Sequence, residues 1–100
     1  MNALTALIAL NDTIPHSTRR VLINVAFERL LQDRAWPDQQ RDPLTPWLAI
    51  LVEEVGEAAR ASLANKSDGP QDLRAELVQV AAVAVAWIET IDAANKKAPQ

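Results

Sequence analysis

A chain of 100 residues with 49% hydrophobic and 4% aromatic residues has the length and composition of one compact helical domain, spanning 1–100, and no room for a second. Its 10 basic and 13 acidic residues leave a net charge of -3. No Lys/Arg cluster extends beyond Arg19-Arg20 and Lys96-Lys97, which argues against a nucleic-acid backbone as partner. The absence of cysteine excludes disulfides and thiolate catalysis, and a single histidine means that any metal site is built mainly from oxygen donors, as hard cations prefer.

The opening stretch MNALTALIAL is apolar but lacks a basic leader and a small-residue cleavage pattern. A short helix is therefore expected there rather than a secretory signal, followed by a turn that completes an N-terminal unit over 1–16. Ser17 is the expected N-cap of a second helix through Arg34, with Val21, Leu22, Val25, Leu30 and Leu31 as its apolar residues. The segment from Ala35 to Trp47 holds three prolines and several polar residues and reads as an ordered connection. Thr45 before Pro46 signals a third helix, in which the threonine hydroxyl caps free N–H groups and proline occupies the first position, where a missing donor costs nothing. That helix runs to about Ala64. Asn65 to Gly69 reads as a turn, Pro70 opens a last helix to about Ala94, and 95–100 is a frayed tail. Apolar residues recur at three- and four-residue spacing without period-two alternation, so no strand is expected. The apolar run Leu77–Ile88 is shorter than the roughly 20 residues that cross a bilayer and contains Gln79, so no membrane partner is expected and the location is cytoplasmic.

The stretch ILVEEVGEAARA, residues 50–61, sets three glutamates in a helix whose spacing is otherwise that of a buried stripe. At about 100° per residue, Glu54 shares the direction of Trp47, Leu51 and Ala58, Glu57 lies near Ile50 at the edge, and Glu53 points further out. On the last helix Glu76 falls among Leu73, Val80, Val83 and Trp87, with Gln79 bordering the same stripe. Burying an ionised carboxylate without a partner costs several kcal/mol, on the order of a small domain's whole stability. Three resolutions stand open: a buried arginine from the second helix (Arg20, Arg29 or Arg34), an exposed rather than buried stripe, or a divalent cation held between the two helices. Arg60 and Arg74 lie off the glutamate directions.

EEVGE at Glu53–Glu57, a turn, and the inward Glu76 of ELVQVAAVAVAWIE together resemble the MazG-like all-α nucleotide pyrophosphohydrolases. The segment ERLLQDRAWPDQ, with Glu28, Gln32, Asp33, Trp36 and Gln39, is similar to a stretch of a small phage and bacterial MazG-like subgroup. The resemblance implies an all-α bundle of about four helices, completed by oligomerisation. It also implies Mg²⁺ or Mn²⁺ on an E-x-x-E and an E-x-x-D pair, and hydrolysis of a nucleoside triphosphate to monophosphate and pyrophosphate. Carried over, the ligands are Glu54, Glu57, Glu76 and Gln79, with Glu53 as an acid behind them or as the catalytic group that activates water, and Trp36 and Gln39 near the substrate. Arg74 is a substrate-binding candidate by its charge, which either approaches the phosphates or is merely solvated. Trp36 either stacks on a base or packs over the core. Lys66 and Arg60 either approach the phosphates or are merely solvated.

Gln79 stands where the family has aspartate. An amide keeps a coordinating oxygen but removes a charge and is no base, so cation binding should weaken and activity is in question. The alternative is a non-catalytic helical oligomer that binds a nucleotide or a protein. Trp47 and Trp87 are expected in the core. Val78, Ala81, Ala82 and Val85 make the last helix apolar on its other side as well, which a chain this small cannot cover, so a homodimer or tetramer is expected.

Overall fold

A computed structural model describes residues 2–64 and 69–97, with side chains for 2–64 and 72–96. Four helices follow in order: α1 (Ala3–Thr13), α2 (His16–Ala35), α3 (Trp47–Ala64) and α4 (Gly69–Lys97). No strand occurs among the described residues, and the fold is an all-α helical bundle. The expected turn at Asn65–Gly69 falls largely outside the described residues, as does Lys66; Gly69 is helical, and α4 continues past Ala94 to Lys97.

Proline geometry sets two helix starts differently from the cap residues read in the sequence. Pro15, not Ser17, stands at the N-cap of α2, its carbonyl accepting the Arg19 N–H at 3.0 Å, and no side chain caps that end. The fixed φ of proline already suits a helix entry, so the helix begins one residue before the serine. At α3 the Pro46 carbonyl accepts the Ile50 N–H at 3.1 Å and Trp47 is the first helical residue. The Thr45 hydroxyl caps nothing; it donates to the Gln39 carbonyl at 2.8 Å and ties down the connection. The same connection is held by Trp47 Nε1 donating to the Asp42 carbonyl at 3.1 Å, and it contains Arg41 in the left-handed region at φ 63°.

α4 is the central element: it packs against α3 and α2, while α2 and α3 do not pack on each other and α1 packs on none of them among the described residues. Arg19 on α2 holds the end of α1 instead, its guanidinium donating to the Asn11 carbonyl and, at 3.2 Å, to that of Ile14. Trp47, Val83 and Ala86 form the core cluster, with Ile50, Leu51 and Trp87 against it, and Val25, Ala58 and Ala82 are buried as well. The core is small, and Leu7, Ile8, Leu22, Phe27 and Leu30 are each more than half exposed. A compact 100-residue domain has a radius of gyration of about 13 Å; this chain measures 16.1 Å. At 25 residues the apolar stretch Asp72–Lys96 of α4 is long enough to cross a membrane by length and composition, which corrects the length argument from Leu77–Ile88. A soluble core helix meets the same test.

Candidate metal centre and adjoining pocket

Three carboxylates converge where α3 faces α4. Glu54 and Glu57 project one turn apart from α3, Glu76 projects from α4, and one oxygen of each lies within 4.8 Å of the others. All three are half-buried, as the helical wheels require, while Glu53 is exposed. Two oxygens on opposite sides of a cation are about 4.2 Å apart for Mg²⁺ and about 5 Å for Ca²⁺. A shared divalent ion therefore needs only small side-chain adjustments. The chemistry of the set fits as well: the donors are carboxylate oxygens, and Glu76 Oε2 is sealed from solvent with no hydrogen-bond partner among the described residues.

The electrostatics record the same crowding. Burial, then the charges of Glu57, Glu76, Glu53 and Glu28, hold the Glu54 carboxyl above the usual glutamate range. Burial and then the neighbouring Glu57 do the same to Glu76. Among the described residues no arginine pairs with them. The buried arginine of α2 does exist, but it serves another acid: Arg29, 6% exposed, donates through Nε to Glu89 on α4 at 2.8 Å and through Nη2 to Asp33 at 3.1 Å. Arg41 completes this cluster, 3.1 Å from Glu89 and 3.8 Å from Asp33.

A pocket of about 210 Å³ opens beside the carboxylates. Glu53 and Glu54 line one part of it, Trp36, Gln39 and Gln79 others, and Trp47, Ile50 and Val83 give it an apolar wall. Trp36 is 56% exposed, so it is not packed over the core. Of the residues named from sequence, the structure thus brings Glu53, Glu54, Trp36, Gln39 and Gln79 together around one cavity, with Glu57 and Glu76 joined to it through Glu54. Arg74 lies elsewhere: its guanidinium donates to Asn24 at 2.7 Å and lines a separate apolar pocket with Val21, Val25 and Leu77. Arg60 is exposed.

Sequence reasoning did not find the polar chain that runs from Arg29 into the pocket lining, where Gln32 and Gln40 join Gln79. Arg29 Nη1 donates to Gln32 Oε1 at 3.3 Å and to Gln40 Oε1 at 3.0 Å, and Gln32 Nε2 donates to Gln79 Oε1 at 3.3 Å. The spacing of Arg29, Gln32 and Asp33 on one helix face was available as a signal; their partners on α4 were not.

Comparison with known proteins adds no family: the chain matches no protein-family model, no curated protein and no solved structure. The fold and the site define an all-α helical protein with a carboxylate cluster beside an aromatic and amide-lined pocket.

Proposed function

We propose that this protein is a divalent-metal-dependent hydrolase of nucleoside triphosphates, MazG-like in kind, that acts in the cytoplasm and releases a monophosphate and pyrophosphate. The observation that carries the reading is the convergence of Glu54, Glu57 and Glu76 from two helices beside the pocket that holds Trp36 and Gln39. Glu54, Glu57 and Glu76 would hold Mg²⁺ or Mn²⁺. Such an ion supplies neutralisation of phosphate charge and acidification of a bound water. Exposed Glu53, at the same cavity, takes a proton from the attacking water as its oxygen bonds to the α-phosphorus. The bond to the bridging oxygen breaks and pyrophosphate leaves with the electron pair. Trp36 offers an aromatic face to the base, and Gln39 an amide to its edge.

The test is pyrophosphate release from ribo- and deoxyribonucleoside triphosphates in Mg²⁺ and Mn²⁺, with Glu54→Gln as control. Metal-dependent release that the control abolishes is expected. Equal release by both proteins, or none by either, overturns the reading. A non-catalytic nucleotide-binding protein is the second reading, favoured by the engagement of Gln79 Oε1 with Gln32 at the position where an acid would complete the site.

The active form in this proposal is a homodimer or larger. The side of α4 expected to need a partner is closed within the chain at Ala82, which is fully buried, so the support is instead the uncovered apolar surface of α1 and α2, with Leu7, Ile8, Leu22 and Phe27 all more than half exposed and α1 packed on no other helix among the described residues. Phe27→Glu should halve the mass seen by light scattering; an unchanged mass refutes that face as the contact.

A further inference from the structure

The orientation of Gln79 follows from the chemistry of its neighbours. Arginine has five N–H donors and no acceptor, so the atom that Gln32 turns to Arg29 is its oxygen. The buried Gln32 amide then has its nitrogen left for Gln79, and the atom Gln79 turns to it must accept. Arg29 is itself held in place by Glu89 and Asp33. Gln79 is left with its amide nitrogen, which donates to no group among the described residues, on a side chain that lines the pocket.

We infer that Gln79 is not a metal ligand but a hydrogen-bond donor, held by the Arg29–Gln32 relay with its NH₂ group turned into the pocket to bind the acceptor edge of a nucleobase. The inference rests on the nucleotide reading above and gives it a specificity-determining residue. The base is assigned over the phosphate chain because of where the pocket lies. The cavity that Gln79 lines has the aromatic face of Trp36, the apolar Ile50 and Val83 and the amide of Gln39, a lining suited to a planar ring with polar edges. Of the three carboxylates that would hold the phosphate-binding ion, Glu54 lines it, next to Glu53, while Glu57 and Glu76 do not, so the ion and the phosphate chain fall at its acidic edge and the rest of the lining is left for the base. Its volume of about 210 Å³ suits one such group, below the roughly 300 Å³ at which drug-sized pockets begin. A carboxylate at position 79 would face the same acceptor with a negative charge, so an amide there has a use that an acid cannot serve.

The informative variants are Gln79→Glu, which is nearly isosteric, still accepts from Gln32 and changes only the group turned to the pocket, and Gln79→Met, which removes every strong polar atom of the side chain. Titration calorimetry with Mn²⁺ alone, with the α,β-imido analogues of UTP and GTP, and with tripolyphosphate separates the possibilities. Both variants should bind at least one nucleotide analogue about tenfold more weakly than the parent. Gln79→Met should keep Mn²⁺ affinity within about twofold, and tripolyphosphate affinity should not fall in it. A tenfold loss of Mn²⁺ affinity in Gln79→Met, or tighter nucleotide binding by Gln79→Glu, would make Gln79 a ligand and overturn the inference. An equal loss with tripolyphosphate overturns the assignment to the base. Failure of the parent protein to bind Mn²⁺ sinks the metal reading instead, and the donor role is then decided by the nucleotide titrations without metal. A parent protein that binds neither analogue overturns the inference as well.

Discussion

Arg29→Met should be among the most destabilising single changes in α2, and the structure supplies the terms. Arg29 is 6% exposed, and its guanidinium makes four hydrogen bonds, to Glu89, Asp33, Gln32 and Gln40. Removing one partner of a fully buried ion pair costs about 3–5 kcal/mol because the other charge is stranded. Here Glu89 and Asp33 are each about a third exposed and rehydrate, so the ionic part is well below that range. The buried Gln32 fares worse: its oxygen loses its Arg29 donor in a residue only 6% exposed, a loss of about 1–3 kcal/mol. The total expected is about 2–4 kcal/mol. Arg41→Met is the internal control, since Arg41 contacts the same two acids from a half-exposed position and should cost under about 1 kcal/mol. Urea denaturation of both variants and the parent at one protein concentration measures the difference. Equal midpoints for the two variants would refute the argument that Gln32, rather than the charges, carries the cost.

The carboxylate cluster predicts a pH dependence with a definite sign. Glu54 and Glu76 have folded-state pKa values raised by burial and by neighbouring acids, so the folded chain holds their protons more tightly than the unfolded one. Their contribution to stability is complete below the unfolded value of about 4.3 and is lost as pH rises through the folded values. Mn²⁺ binds the deprotonated form and should restore stability in that window, by about 2.7 kcal/mol at a hundredfold excess over Kd, or about 10 °C or more in Tm. Thermal melts from acid to neutral pH, with and without Mn²⁺, test this; a metal effect that is largest in acid would contradict it. Ala82→Leu probes the packing of α4: Ala82 is 0% exposed, and extra methylenes there should cost about 1–3 kcal/mol by overpacking, read from the shift of the urea midpoint. A neutral result would show that α4 has room beside it.

The sequence alone determined what depends on local periodicity. Three- and four-residue spacing of apolar positions suffices to place four helices, because a helix is closed by hydrogen bonds between near neighbours. The same wheel set Glu54, Glu57 and Glu76 inward and Glu53 outward, since a side chain's angle about its own helix axis is fixed by its position in the chain. Helix starts were less legible, because Pro15 and Pro46 open helices through their backbone geometry and leave Ser17 and Thr45 without a capping role. Only the tertiary structure decided which partner each charge has. A buried arginine was one of three ways to compensate the inward acids, but Arg29 meets Glu89, sixty residues away, and leaves the carboxylate cluster unneutralised. The tertiary structure likewise separated Arg74 from the pocket and brought Gln32 against Gln79. Such pairings depend on the rotation and height of α2 against α4, and no periodicity within a single helix encodes them.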